Sequence, residues 1–373
     1  MALLKTLLAP ILLATAATVL SLLGAELLLR IVFPSNGVTR IPTQYLTESR
    51  IGFTPNAEWT VVEPEFTEKV NINSLGYRDI EVDPARPTIV FLGDSQTFGT
   101  GLNFGERVSD IVRAELPSRC ASFPLQVLNV AMPGASTFDE LAFLQDIRSK
   151  GVKVQAVLLG VVTNDHLPNK KQTELKEKLG KDLARKKEWS LSKFLRELRN
   201  GSRLISFTTQ RLSKIAWFNS IYAKYKLDLG LGEFQSLRNI YANEEIAADK
   251  ISYTTQLIKQ IATIAPTSVV VIPDKYRYVS SLQGAAYEEL VKGLQPGETI
   301  DFNRESRIMR ESLSETSIEY FDPIDTFARH AQPDTLSYPI NGHLSPLGAR
   351  LLAEEILRSS SVLQAACGNA KNS

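Results

Sequence analysis

From Leu7 to Ala25 the chain runs for nineteen residues without a charge, with Lys5 before the run and Glu26 and Arg30 after it. A helix that crosses a bilayer needs about 20 mostly apolar residues, so residues 1–30 are expected to form one transmembrane signal-anchor. Pro10 is tolerated in such a helix. A cleaved signal peptide is the competing expectation. Ala14-Thr15-Ala16 has the small-residue form of a cleavage site, but it lies inside the apolar run.

Residues 31–85 hold prolines, polar residues and one alternating stretch from Phe66 to Ile72, which predicts a stalk with a short strand or hairpin. The pattern then changes. Short apolar, β-branched runs predict strands at Thr88–Leu92, Gln126–Ala131, Ala156–Val162, Ser268–Ile272 and Ile318–Phe321. Helical patterns lie between them at Glu106–Leu116, Phe138–Ile147 and Glu244–Ile264, the last with Ile246, Tyr253, Leu257, Ile261 and Ile264 on one face. Ser345 followed by Pro346 reads as the cap and first position of a final helix. Buried strands alternating with helices predict an α/β fold. The expected architecture is a flavodoxin-like, three-layer α/β/α sandwich on a mainly parallel five-stranded sheet, spanning residues 86–360, with a tail at 361–373.

Residues 166–243 interrupt that rhythm. Between Asn169 and Asn200 stand eleven Lys/Arg and five Asp/Glu, with leucines interspersed. This predicts a basic amphipathic helical insertion. It could be a solvated cap on one end of the sheet, a lid over the site, or a surface for anionic lipid headgroups.

Composition narrows the function. With 42 Lys/Arg against 41 Asp/Glu, the net charge of +1 gives no electrostatic reason to expect nucleic acid. Two cysteines cannot make a four-cysteine metal site, and the three histidines (His166, His330, His343) are too few for a His-rich one. No metal or other cofactor is expected.

Ligands of open parallel sheets bind beyond the carboxyl ends of the strands. Gly93-Asp94-Ser95-Gln96-Thr97-Phe98-Gly99 follows the first strand, Met132-Pro133-Gly134 the second and Thr163-Asn164-Asp165 the third. Asn341-Gly342-His343-Leu344-Ser345 precedes the last helix. A serine hydroxyl needs a base to become a nucleophile, and His343 can supply it. The Ser95 and Gly134 amides and the Asn164 side chain are candidate donors to an oxyanion. Asp165, Lys275 and Tyr276, near the same sheet edge, are candidate substrate contacts. His330 lies in a polar loop, and His166 is a weaker alternative base.

These blocks resemble the SGNH (GDSL-type) hydrolase superfamily. The serine block is Gly93 to Gly99, the glycine block Asn129 to Gly134, the asparagine block Asn164-Asp165 and the histidine block His343 to Gly348. The segments Asn73 to Asp79 and Pro273 to Tyr276 are similar to membrane-anchored bacterial members, including the alginate O-acetyltransferase-like branch. The resemblance implies acyl-ester chemistry with Ser95 as nucleophile, His343 as base, and Ser95, Gly134 and Asn164 as the oxyanion hole. It also implies a single-pass protein whose catalytic domain is extracytoplasmic, periplasmic or on the cell surface. Export would allow Cys120 and Cys367 to pair; otherwise they are two unpaired thiols.

The sequence departs from the family at the third triad position. The residues two and three before the histidine are Asn341 and Ile340, where the family carries an aspartate. Three arrangements are open. The first is a Ser-His dyad oriented by Asn341 or a backbone carbonyl. In the second, the acid comes from Asp322, Asp325 or Asp334. The third is a degenerate site with little activity. The usual glycine two residues before Asn164 is replaced by Val162. The expected activity is a serine esterase on an acylated envelope glycan or lipid. An O-acyltransferase is the alternative; it would move an acetyl group onto a polysaccharide hydroxyl and need a separate acyl-donor membrane protein. A non-catalytic binding or assembly module is the other alternative.

Overall fold

The computed structural model describes residues 2–32, 43–47, 50–62, 65–120, 125–166, 237–280, 296–338 and 341–368, with a few isolated positions between them. The chain divides into two compact units, residues 1–40 with 187–231, and residues 41–186 with 232–373.

The first unit contains the helix Ala2–Val32. Its Leu13–Ile31 stretch is long and apolar enough to cross a membrane, and none of it is buried. Glu26 is the acidic residue of this helix. Its carboxylate pairs with Arg30 at 2.7 Å and accepts the Leu204 amide at 2.8 Å. Leu204, which lies within the span 166–243, is thus bonded to the N-terminal helix. The helix expected over Asn169 to Asn200 lies, apart from Asn169, outside the described residues.

The second unit begins with two antiparallel hairpins, β1 (Thr43–Thr47) with β2 (Arg50–Phe53), and β3 (Glu58–Val62) with β4 (Thr67–Asn71). The sequence shows only the last of these, because only β4 alternates cleanly. It buries Glu68 and Val70 and exposes their neighbours. Phe53 packs on Trp59 and on Phe98, at 5.4 and 5.5 Å between ring centroids, which fixes the hairpins to the sandwich.

The central sheet has five parallel strands: β5 (Pro87–Gly93), β6 (Gln126–Ala131), β7 (Lys153–Val161), β8 (Thr267–Val271) and β9 (Glu319–Phe321). Their order is β6-β5-β7-β8-β9. This is the doubly wound order, which reverses direction at β5 and opens a crevice at the carboxyl ends of β5 and β7. Alternation along β5 serves two cores. Val90 and Leu92 pack with the helices Thr137–Ser149, Glu244–Ala262 and Arg304–Leu313. Ile89 and Phe91 pack with Val108–Arg119, Pro346–Ser359 and Ser361–Gly368.

Three details differ from the expectation. Leu257 and Ile261 are buried as expected, but the buried face of Glu244–Ala262 also takes in Ala247, Ile251, Thr254, Thr255 and Ile258, and Ile246 is exposed. Two threonines on that face hide its periodicity. The helix Arg304–Leu313 was not visible in the pattern because it buries Arg304, Glu305 and Ser306. Residues 361–368, expected as tail, form a helix that buries Leu363 and Ala366. That helix is covalently held, since Cys120 and Cys367 form a disulfide across 247 positions.

A tether over so long a loop typically contributes about 2–4 kcal/mol. Replacing both cysteines with serine is therefore expected to lower the thermal midpoint by several degrees. Circular dichroism with and without reductant checks this. Equal midpoints would show that the last helix needs no tether.

Candidate active site

The nucleophile turn is built from one strand end and one buried carboxylate. β5 ends at Gly93, and Asp94 caps the one-turn helix Ser95–Phe98 by accepting the Gln96 amide at 2.9 Å. The Ser95 hydroxyl donates to Asp94 Oδ2 at 3.1 Å. The Asn164 side chain also hydrogen-bonds the Asp94 carboxyl. Burial raises the pKa of that carboxyl, and the hydrogen bonds from Gln96, Ser95 and Asn164 work against the rise.

Glycine is required at Gly93 for space. A Cβ there would lie 2.0 Å from Thr97 Oγ1, and one at Gly160 would lie 2.3 Å from the same atom. Thr97 fills the gap between β5 and β7 that the two glycines leave. Its carbonyl accepts the Asn129 side-chain amide at 2.7 Å, so Asn129 of the glycine block locks the nucleophile turn from behind.

The glycine loop joins this turn through the Met132 amide, which donates to Gly93 O at 3.2 Å. Gly134 is exposed at φ +76°, and nothing lies within 4 Å of where its Cβ would be. Here the glycine is needed for the left-handed backbone. After β7, Asp165 Oδ2 accepts the Val162 amide at 2.9 Å and closes a short 3-10 turn over Thr163–Asp165. The carboxylate makes this turn without the glycine that Val162 replaces. Asn164 remains half-buried at the surface of the turn, while Asp165 is only 1% exposed. The substrate contact expected of Asp165 is therefore not available to it.

The histidine loop is held from several sides. The Tyr338 amide donates to His343 O at 2.8 Å and the Gly342 amide to Tyr338 O at 2.9 Å. The Asn341 amide donates to Glu65 Oε2 at 2.6 Å, so the hairpin segment forms one wall of the site. Ser345 caps the helix Pro346–Ser359 as expected, accepting the Gly348 amide at 3.2 Å. Across the site, Gln96 donates to Gly342 O at 3.4 Å and accepts the Leu344 amide at 3.0 Å.

His343 Nδ1 is hydrogen-bonded to Asn341 Oδ1. An amide oxygen accepts only, so Nδ1 carries the proton and Nε2 keeps its lone pair. Of the candidate partners, Asn341 is the one the structure places on the ring. Asp322 is occupied by Arg277 at 2.8 Å and by the Ile324 amide at 3.1 Å. Asp325 is exposed, 3.6 Å from Arg329, and Asp334 is exposed in the turn Pro333–Thr335. Burial, and then the nearby Lys275 ammonium, push the imidazole pKa down to about 4.

Lys275 begins a one-turn helix capped by Asp274 after β8. Its Nζ lies 3.6 Å from the Cβ position of Gly342 and 5.5 Å from the Tyr276 ring centre. Tyr276 packs against Leu237, Ile240 and Tyr241. His166 is fully buried, with Nε2 2.9 Å from Glu305 Oε1 and Nδ1 2.8 Å from Thr254 Oγ1. It therefore has no access to substrate as an alternative base. Sequence reasoning missed Gln96 and Glu65. Gln96 stands inside the serine block, but its type there carries no signal of a partner; Glu65 sits in a stretch read as stalk.

The loops that carry Ser95, Gly134, Asn164 and His343 thus lie at the carboxyl edge of a doubly wound sheet, as the resemblance to SGNH hydrolases implies. No protein-family model matches the sequence, and no curated protein matches it. Solved structures do. A lipolytic protein of the G-D-S-L family from Veillonella parvula is 13% identical, over 73% of this chain and 97% of that chain, with a TM-score of 0.36. The extracellular lipase of Streptomyces rimosus is 14% identical, over 74% of this chain and 100% of that chain, with a TM-score of 0.39. A catalytic mutant of the acetylxylan esterase Axe2 from Geobacillus stearothermophilus is 13% identical, over 75% of this chain and 95% of that chain, with a TM-score of 0.37.

A base whose pKa is about 4 is neutral, and so competent, well below the ordinary histidine value near 6.5. The acid limb of kcat/KM for a small uncharged ester is expected near pH 4. Lys275→Met removes the repelling charge but leaves the burial, so the limb should move up without reaching 6.5. A pH–rate profile checks both. A wild-type limb above pH 6 contradicts the assignment.

Proposed function

We propose that this protein is a membrane-anchored serine esterase that acts on an acylated envelope glycan or lipid through a covalent acyl-enzyme at Ser95. The observation that carries the reading is the state of His343, with Nδ1 held by Asn341 and Nε2 left as an acceptor on a loop bonded to the residue after Ser95. A base in the wrong tautomer loses most of its catalytic value.

The Ser95 hydroxyl leaves Asp94 by rotation about its side-chain torsion, and its proton passes to His343 Nε2. Oγ bonds to the ester carbon, and the carbonyl oxygen takes the negative charge. The Ser95 and Gly134 amides and the Asn164 side chain donate to that oxyanion, each such donor contributing roughly 3–4 kcal/mol of barrier lowering. The C–O bond to the alcohol breaks, and the alcohol leaves with the proton from His343. Water then attacks the acyl-Ser95, giving its proton to His343, and the acid departs as Oγ takes that proton back. Asn341 gives the imidazolium no opposite charge, and burial and Lys275 hold its proton affinity down, so the ring is a weak base toward Ser95 and a ready acid toward the leaving alcohol.

The disulfide supports a body on the oxidising side of the membrane, since such bonds persist there and are rare in the cytosol. The N-terminal helix supports single-pass anchoring next to envelope substrates.

A fluorophosphonate probe tests the reading on the detergent-solubilised full chain. Labelling is expected in the wild type, absent in Ser95→Ala and slowed by about 10²-fold or more in His343→Ala. Folded wild-type protein that does not label would favour a binding module. Asn341 is expected to matter in both directions. Asn341→Ala frees the ring tautomer and should lower kcat by about 10–10³-fold. Asn341→Asp supplies a carboxylate, which should raise kcat and shift the acid limb to higher pH. Unchanged kcat and pH profile in both variants would remove Asn341 from the mechanism.

A further inference from the structure

Ser95 and His343 are 248 positions apart in sequence, and among the described hydrogen bonds none joins the two side chains directly. Asn341 cannot link them. It belongs to the same loop as the ring, so its bond to Nδ1 sets the ring's tautomer and tilt within that loop only. Glu65 and Tyr338 tie the loop to the hairpin segment and to its own turn; the Tyr338 hydroxyl reaches Gly101 O at 2.9 Å, beyond the nucleophile helix.

Gln96 is placed differently. Its backbone amide is bonded to Asp94, which also holds the Ser95 hydroxyl. Its planar side-chain amide donates to Gly342 O and accepts from Leu344 N, so one group grips the peptide units on both sides of His343. An amide pairs with a peptide backbone in two directions at once, as a neighbouring strand does. Each end of this connection is one residue from a reacting side chain. Misplacement of reacting groups by about 1 Å can cost about 10²-fold in rate.

We propose that Gln96 is the positioning residue that sets the distance from His343 to Ser95. The proposal rests on the Ser95–His343 reading above. Gln96 touches neither the ring nor the Ser95 hydroxyl and acts through the loop.

The test is a double-mutant cycle on the full chain, read by the second-order rate of fluorophosphonate labelling and by kcat and KM for a small activated ester. Gln96→Met keeps the length and removes both hydrogen bonds. It is expected to lower the labelling rate and kcat by about 10–10²-fold, with KM within about 3-fold and the thermal midpoint nearly unchanged. Gln96→Glu keeps the acceptor for Leu344 N but sets a carboxylate against Gly342 O, and should also lose rate. In a His343→Ala background both substitutions should cost less than about 3-fold, because a residue that acts only through His343 has nothing left to position. A general loss of structure would not produce that non-additivity.

Equal losses with and without His343 would overturn the proposal, as would wild-type rates in both Gln96 variants. If Gln96→Met does not fold, Gln96→Glu alone decides by the same comparison. Wild-type protein that fails to label would instead sink the Ser95–His343 reading and this proposal with it.

Discussion

A buried carboxylate at the end of the central strand organises the candidate active site. Asp94 is only 2% exposed, and burying a charge is costly unless hydrogen bonds replace the lost water. The replacement comes from the Ser95 hydroxyl, the Gln96 amide and the Asn164 side chain. Two of the groups the proposed chemistry uses, the Ser95 hydroxyl and the Asn164 side chain, are thus gathered because one carboxylate needs partners. The same need forces a sharp turn directly after β5, which puts Ser95 at the crevice where the sheet reverses direction.

Asp94 also charges the interior beneath it. Glu140 is fully buried, and burial together with the Asp94 charge pushes its pKa well above the usual carboxylate range. Burial, and then Glu140 and Asp94, do the same to Asp165. Glu305 is held in the opposite direction. Its burial is outweighed by His166, Arg277 and the Thr163 hydroxyl, so it stays low. The helical layer under the site is therefore a polar network as well as an apolar core. On the other side, Arg78 donates to Gly99 O at 2.8 Å and Leu102 O at 2.6 Å, and Asp79 accepts the Asn129 amide at 2.6 Å. These bonds account for the polar segment before β5 as structure, not chemistry. They lock the hairpins against the nucleophile turn and so make Glu65 available to the histidine loop.

Much of this was legible along the chain. The five strands of the sheet, the helix caps at Ser345 and Pro346, and the four loops that carry Ser95, Gly134, Asn164 and His343 all follow from local pattern. Elements whose buried face is polar were not legible. The helix at Arg304–Leu313 buries Arg304, Glu305 and Ser306, and these read as surface until Glu244, His166 and Asp322 are seen beside them.

The sequence by itself determined which residues could do chemistry and on which loops they sit, because strand periodicity, turn glycines and caps depend on neighbours a few positions away. Tertiary structure decided which of them meet. Asp322, Asp325 and Asp334 lie on other elements, and the fold holds Asp322 on Arg277 and leaves Asp325 and Asp334 exposed, while Asn341 of the ring's own loop is bonded to it. The role of Gln96 depends on Gly342 and Leu344, 246 and 248 positions further on. No local pattern encodes a hydrogen bond across that separation, because both partners are ordinary until the sheet brings their loops together.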